Sequence, residues 1–252
     1  MIASLSAYII VKNESRDLPG CLESLKGVAD QVFVVDDEST DNTVILAKDW
    51  GATVLSRKMD GYGTQKQFAL NQCTGHWVLS LDADERLTSS LAKEIKDIIG
   101  RQEGPDGYYI SRKMFFLGHR LRFGGVGKDW VLRFFRREKG RYLPKEIHEQ
   151  VTVDGTVRRL KGSIDHYSYA TLDEYLEKIP AYTAMAAEAR WKVGKRFSIF
   201  THLRPAWELF NRVLIKGAWL DGQAGLIYAA LSAHAAWLRG VKLWDLENHA
   251  SK

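Results

Sequence analysis

The apolar positions in the first half of the chain come in short runs: LSAYIIV over Leu5–Val11, QVFVVD over Gln31–Asp36, and HWVLSLD over residues 76–82. Rich in β-branched residues and hardly interrupted by polar ones, they predict strands buried on both faces, as in a parallel sheet. Between them, SRDLPGCLESL and STDNTVILAKDW open on helix-start residues and continue with apolar spacings of three and four. Gly51 and Gly75 stand where helices should stop. This β-α-β-α order implies right-handed crossovers and a mostly parallel sheet that receives ligand beyond the carboxyl ends of its strands. Residues 107–166 carry shorter strand-like stretches (GYYISRKMFFLGHRL, WVLRFFRR, HEQVTVDG), which predict a mixed extension of the sheet. Near Thr171 the alternation gives way to helical spacing: LDEYLEKIPAYTAMAAEARWK, broken at Pro180, then helices over residues 205–216 and 221–240. The expected organisation is an α/β domain over residues 1–170 and a helical region over residues 171–252.

Composition narrows the picture. A chain of 252 residues can bury a substantial core, and its two cysteines, Cys21 and Cys73, lack metal-ligand spacing, so a disulfide scaffold is excluded and a reducing, cytoplasmic setting is expected. Lys12 and Glu14 interrupt the first apolar run, so no signal peptide is expected. The net charge of +5 favours acidic partners, phosphates or anionic lipid. RWKVGKRF, residues 190–197, interleaves cations with Trp191 and Phe197, which suits an anionic membrane surface, or a solvated charged helix end. No nucleic-acid-binding motif accompanies it, so nucleic acid is not an expected partner. The uncharged stretch at residues 222–238 is at the short limit for a spanning helix and fits a buried or interfacial one. The expected location is therefore peripheral, on the inner face of the cytoplasmic membrane.

The chemistry concentrates in VLSLDADERLTSS. Two carboxylates at alternate positions of a strand end, Asp82 and Asp84 around Ala83, can share a hard divalent cation, or divide between a metal and a sugar hydroxyl. The plainer alternative is a solvated strand-to-helix turn in which Asp84 or Glu85 helps cap the helix after it. Asp36 can likewise be a helix cap for STDNT, and Lys66 an ordinary exposed helix residue.

VVDDESTDNT, LDADE, EGPDGY and IHEQV, together with the opening IIVKNESRDLPGCLESL, resemble the inverting nucleotide-sugar glycosyltransferases of family 2, over about the first 165 residues. The resemblance implies a GT-A fold. YYISRKMFFLGHRL, LRFFRR, DHYSY, EYLEKIPAYTAMAA and KGAWLDGQAGLIYA further resemble the bacterial lipopolysaccharide-core glucosyltransferase branch. This implies a metal-dependent hexosyltransferase acting with Mg²⁺ or Mn²⁺ on a UDP-sugar donor, glucose in the first instance. The implied acceptor is an inner-core lipopolysaccharide heptose or a related lipid-linked glycan.

By the same resemblance Asp37 reads the uracil edge, with Asp36 beside it, and Val11, Asn13 and Glu14 wall the nucleoside. Asp82 takes the ribose side, and Asp84 is the metal ligand. Lys66 stands where relatives place an arginine, keeping the cation without the planar fork. Inversion needs a base for the acceptor hydroxyl. Glu149 in KEIHEQV is the first choice, the alternative being a strand whose alternating members simply face solvent, and Asp129 is the second. On LRFFRR, Arg133 is the candidate to neutralise the diphosphate. His166 either joins the metal shell, contacts phosphate, or is structural. The rival readings are a polyprenyl-phosphate glycosyltransferase and a noncatalytic nucleotide-sugar-binding membrane scaffold.

Overall fold

The computed structural model describes residues 4–101, 104–127, 129–142 and 151–250. The apolar runs form strands as expected, β1 (Leu5–Val11), β2 (Gln31–Asp36) and, after β3 (Thr53–Ser56), β4 (Trp77–Asp82). Between them lie α1 (Leu18–Leu25), α2 (Thr43–Trp50) and α3 (Tyr62–Gln72). There follow β5 (Glu85–Leu87), α4 (Ser89–Ile99), β6 (Gly107–Phe116), β7 (His119–Arg120), β8 (Asp129–Arg136), β9 (Gly140–Tyr142), β10 (Val151–Val153) and β11 (Val157–Tyr169). The sheet runs β3-β2-β1-β4-β8-β6-β11-β5, with β7 on β6, while β9 and β10 pair separately. β3, β2, β1 and β4 are parallel; β8 joins β4 antiparallel, so the expected mixed extension begins there.

Alternation along β1 splits the core in two. Leu5, Ala7, Ile9 and Val11 pack with Leu18, Leu22 and Leu25 of α1 and Leu91, Ile95 and Ile98 of α4. Tyr8 joins the other layer, with Ala69 and Leu70 of α3, Phe135 and Tyr142. Gly51 ends α2 in the left-handed conformation at φ 101°, as the sequence implies. Gly75 does not stop a helix, since α3 already ends at Gln72; a Cβ on Gly75 would lie 2.7 Å from the Ser6 amide nitrogen. The glycine lets a loop press against the start of β1.

The chain divides into two compact units: residues 1–112 with 129–166, and residues 113–128 with 167–252. The second contains α5 (Leu172–Lys192), α6 (Arg204–Phe210) and α7 (Gly222–Ala250). Within it, β6 turns into β7 through Leu117 and Gly118, at φ 49° and 77°, as a two-residue hairpin requires.

The helical region departs from the pattern read in the sequence at each marker residue. α5 continues through Pro180, because Tyr175, Ile179, Thr183 and Ala187 form a buried stripe whose packing outweighs one missing helical hydrogen bond. α6 ends at Phe210 and passes into a π turn over Asn211–Ile215. α7 runs ten residues past the stop expected at Gly240, where a Cβ would meet Thr201 Cγ2 at 2.1 Å. That glycine serves close packing rather than termination. Among the described residues no helix is long and apolar enough to cross a membrane.

Candidate active site

The sheet register sets Asp36 beside Val11 and Asp82 beside Ile10, so both acidic strand endings reach the same edge on either side of β1. Parallel sheets bind ligands at this edge, where the strand order changes direction. At the end of β4, Asp82 is held by Lys66 of α3, Nζ to Oδ1 at 3.3 Å, and by the Arg133 guanidinium of β8 on Oδ2. Burial alone would raise the Asp82 pKa; Arg133 and Lys66 outweigh it and hold the carboxyl well below the usual range. Arg133, itself buried, is raised in turn despite its desolvation, by Asp82 and Glu85. Lys66 is thus no free surface lysine: its side chain is 11% exposed.

A β-bulge aims Arg133. β8 and β6 pair Phe134 with Tyr108 but Leu132 with Tyr109, leaving Arg133 as the extra residue. Bulges of this kind re-aim a side chain. Arg133, Phe134 and Phe135 are consequently all buried, the phenylalanines in opposite layers of the core and the arginine donating to Ser80 Oγ at 3.3 Å. Its Nε is buried without an acceptor among the described residues.

The edge beyond β2 is organised separately. Asp37 accepts from Lys12 Nζ at 2.9 Å and from the Met59 amide at 2.8 Å, which lower its pKa. Asp36 accepts from the Ser39 amide at 3.1 Å and so tightens a turn; it does not cap α2, whose cap residue is Asn42. Asn13 and Glu38 sit at φ 55° and 54°, a conformation most side chains avoid. Asn13 Oδ1 accepts from the Thr40 amide at 2.8 Å, and the Glu14 amide donates to Thr43 Oγ1 at 2.8 Å, so the loop after Val11 is tied to the loop after Asp37.

Ala83 is buried, and Asp84 stands 3.1 Å from His166 Nε2 on β11. Burial lowers the His166 pKa, but Asp84 more than compensates and the net shift is upward. Among the described residues no three or more His, Cys, Asp or Glu side chains converge on one point. Asp84 is an oxygen donor of the kind a hard cation takes, alongside substrate phosphates and water, while His166 can add a nitrogen only as neutral imidazole. The cap of α4 is Thr88, accepting from the Leu91 amide, so neither Asp84 nor Glu85 has the capping role the plainer reading gave it. Asp129 lies opposite Arg112, whose Nε donates to its Oδ2 at 2.7 Å and whose Nη2 stands 2.6 Å from the same oxygen. Glu149 lies outside the described residues.

A cleft of about 480 Å³ opens over Lys66, Asp82, Arg112, Asp129 and Arg133. Two of its organising groups escaped the sequence reading. Glu85, fully buried, accepts from the Asp82 amide at 2.9 Å, Arg112 at 3.1 Å and Arg133 at 3.2 Å. Arg112 links Glu85 to Asp129 and, with burial opposed by Glu85, has a raised pKa. The only local hint was an acidic residue directly after the DAD triplet. Their pairing arises from strands brought together across the sheet.

The chain matches the model of glycosyl transferase family 2 over residues 6–159. It is 32% identical to the lipopolysaccharide core biosynthesis glycosyltransferase LpsC of Rhizobium meliloti, across 98% of this chain and 94% of that protein. It is 30% identical to an uncharacterized glycosyltransferase of Rickettsia typhi, across 96% and 87%. Among solved structures, Staphylococcus aureus TarS gives a TM-score of 0.49 at 16% identity, covering 95% of this chain and 55% of that one. Glucosyl-3-phosphoglycerate synthase of Mycobacterium tuberculosis, crystallised with Mn²⁺, uridine diphosphate and glucosyl-3-phosphoglycerate, gives 0.41 at 19% identity, covering 54% and 57%. The chain spans little more than half the length of either. With its α/β sheet of GT-A type, its family match over residues 6–159 and its near full-length likeness to LpsC, the chain belongs to glycosyl transferase family 2.

Proposed function

We propose that the protein transfers glucose from UDP-glucose, with inversion at the anomeric carbon, to an inner-core heptose of lipopolysaccharide or a related lipid-linked glycan. It would work at the inner face of the cytoplasmic membrane. The observation that carries this reading is the convergence of Lys66, Arg112 and Arg133 on Asp82 and Glu85 in the cleft at the end of β4. Lys66 and Arg133, paired with carboxylates at the carboxyl edge of the parallel sheet, are counter-charge that an incoming nucleoside diphosphate can take over. The likeness to LpsC supports the acceptor class, and glucose follows from the sequence resemblance.

In this mechanism Asp37 accepts from the uracil edge, the loop from Val11 to Glu14 walls the nucleoside, and Asp82 faces the ribose. Arg133 and Lys66 turn from Asp82 toward the diphosphate as it enters, and Arg133 brings an unspent Nε donor. Asp84 and His166 would hold Mg²⁺ or Mn²⁺, which supplies positive charge to the leaving diphosphate. The acceptor hydroxyl loses its proton to Glu149. Asp129 is the weaker base because it must first shed the Arg112 guanidinium that engages it through two nitrogens.

Incubation with several UDP-sugars and heptose-terminated acceptor, read by mass spectrometry and NMR, should give one added hexose with inverted configuration from UDP-glucose. No product from any UDP-sugar would overturn the reading. Glu149→Gln should cut transfer by about 10² to 10⁴ with UDP affinity and melting temperature unchanged. Transfer that survives both Glu149→Gln and Asp129→Asn would point instead to an acceptor already ionised, such as polyprenyl phosphate.

A further inference from the structure

The helical unit holds a second pocket, of about 640 Å³, lined by α5, the segment after it, α6 and α7. Its walls include Arg190, Lys195, Arg196 and Arg204, with Glu208 as the acid facing them. Glu208 is already engaged by Arg212 Nε at 2.7 Å, and Arg196 packs over the Trp191 ring at 3.8 Å. Arg190 and Arg204 have no ion pair among the described residues. The cost of leaving them so is visible: burial, then the charge of Arg204, lowers the pKa of Arg190. Burial, then Arg190 and Arg204, does the same to Arg239. A pocket that gathers guanidiniums without matching carboxylates has room for an anion with several acceptor oxygens.

Beside these cations the chain exposes large apolar side chains in close succession: Ile199, Phe200, Leu203 and Trp207, with Phe200 72% and Trp207 60% exposed. Phe200, Leu203 and Trp207 line the same pocket. Apolar side chains cost free energy in water, and aromatic ones beside cations match the boundary between lipid headgroups and acyl chains. A soluble phosphate would need only the cations. We infer that this pocket binds the headgroup phosphate of an anionic lipid through Arg190, Lys195 and Arg204, with Phe200, Leu203 and Trp207 entering the adjoining acyl region. The site shares no residue with the proposed sugar-transfer machinery, so either can fail without the other. It also differs from the linear basic run in the sequence, since Arg204 comes from beyond that run and Lys192 is not in the pocket wall.

The test uses the full chain and vesicles of phosphatidylcholine with or without phosphatidylglycerol. Wild-type protein should cosediment with the anionic vesicles. Arg190→Gln/Arg204→Gln should weaken that binding about thirty-fold, about fivefold for each cation lost near the surface. Lys93→Gln/Lys96→Gln, which removes two exposed charges of α4, should change it no more than about twofold. Equal losses from the two pairs would mean diffuse attraction and overturn the site. Phe200→Ser/Trp207→Ser should weaken the binding that survives at high salt; no change would remove the apolar half. Arg190→Lys/Arg204→Lys keeps the charge but loses the guanidinium fork, so it should weaken binding clearly less than the glutamine pair. A loss as large as that of the glutamine pair would show that pocket shape, not charge, is at work and would overturn the inference. Calorimetry with inorganic phosphate and glycerol phosphate separates the sources: binding of either without vesicle binding would assign the pocket to a soluble phosphate and overturn the lipid reading.

Discussion

The molecule builds two clusters of cations by opposite rules, one buried or half-buried in the α/β unit and one half-buried to exposed in the helical unit. In the α/β unit, Arg112 and Arg133 are met by Asp82, Glu85 and Asp129, and their pKa values are raised. In the helical unit, burial and then Arg204 lower the pKa of Arg190, and burial, then Arg190 and Arg204, lower that of Arg239. The first cluster is neutralised in advance, so a ligand entering it exchanges one partner for another. In the second, Arg190 and Arg204 have no ion pair among the described residues, and like charges add to burial in lowering the pKa values of Arg190 and Arg239. Matched charge positions a reacting group, whereas unmatched charge attracts a partner.

The comparison can be broken most sharply by deleting one arginine from each cluster and measuring urea unfolding. Arg133→Ala strands Glu85 and Asp82 without their central counter-charge and should cost about 3–5 kcal/mol, the usual penalty for breaking a buried ion pair from one side. Loss of under about 1 kcal/mol would mean that Arg112 and Lys66 close over the gap and that the cluster is less preorganised than its geometry implies.

A smaller effect tests whether the α/β unit satisfies its acids locally as well. Asp41 accepts from the Thr43 amide at 3.0 Å and the Ser15 amide at 3.1 Å. Burial raises its pKa, but these bonds and those to the hydroxyls prevail and lower it to about 2. Because the folded value lies below the unfolded value of about 3.9, the stabilisation is complete above pH about 4 and is lost as pH falls toward 2. Allowing for its partial exposure to solvent, Asp41→Asn should cost about 1 kcal/mol at pH 7 and almost nothing near pH 2. A penalty that does not shrink with acid would trace the effect to packing instead.

The smallest effect has the opposite sign. Arg204→Gln removes a charge that its neighbours resist, so it should leave stability unchanged or raise it by about 0.5 kcal/mol, more at low salt than at high. A loss of about 2 kcal/mol would show the second cluster to be compensated after all.

Legibility in the sequence followed the range of the contacts. β1, β2 and β4 were plain because a doubly buried strand writes an unbroken apolar run, and the acids that end them fall where the sheet's edge must be. Lys66 was readable as a cation standing where relatives place an arginine, or as an ordinary exposed helix residue; its bond to Asp82 required α3 to be laid on the sheet. Glu85 and Arg112 could not be read, since their meeting depends on the neighbours of β5 and β6, and a residue's strand partner is not written beside it. In the helical region Pro180 and Gly240 carried their usual local meaning and were overruled, one by a buried stripe and the other by Thr201 pressed against the helix.

The bulge in β8 sets a length as well as a direction. Were the register of Gly107 with Phe135 continued unbroken, Trp130 instead of Asp129 would stand opposite Arg112, and Arg133 would have a place in the ladder. Losing one residue between Asp129 and Phe134 would restore an unbroken ladder with Asp129 still opposite Arg112, but Arg133 would be lost or drawn into the ladder, away from Asp82 and Glu85. The number of residues between Asp129 and Phe134 thus sets where Arg133 points, so an insertion or deletion here does more harm than exchanging one apolar side chain for another.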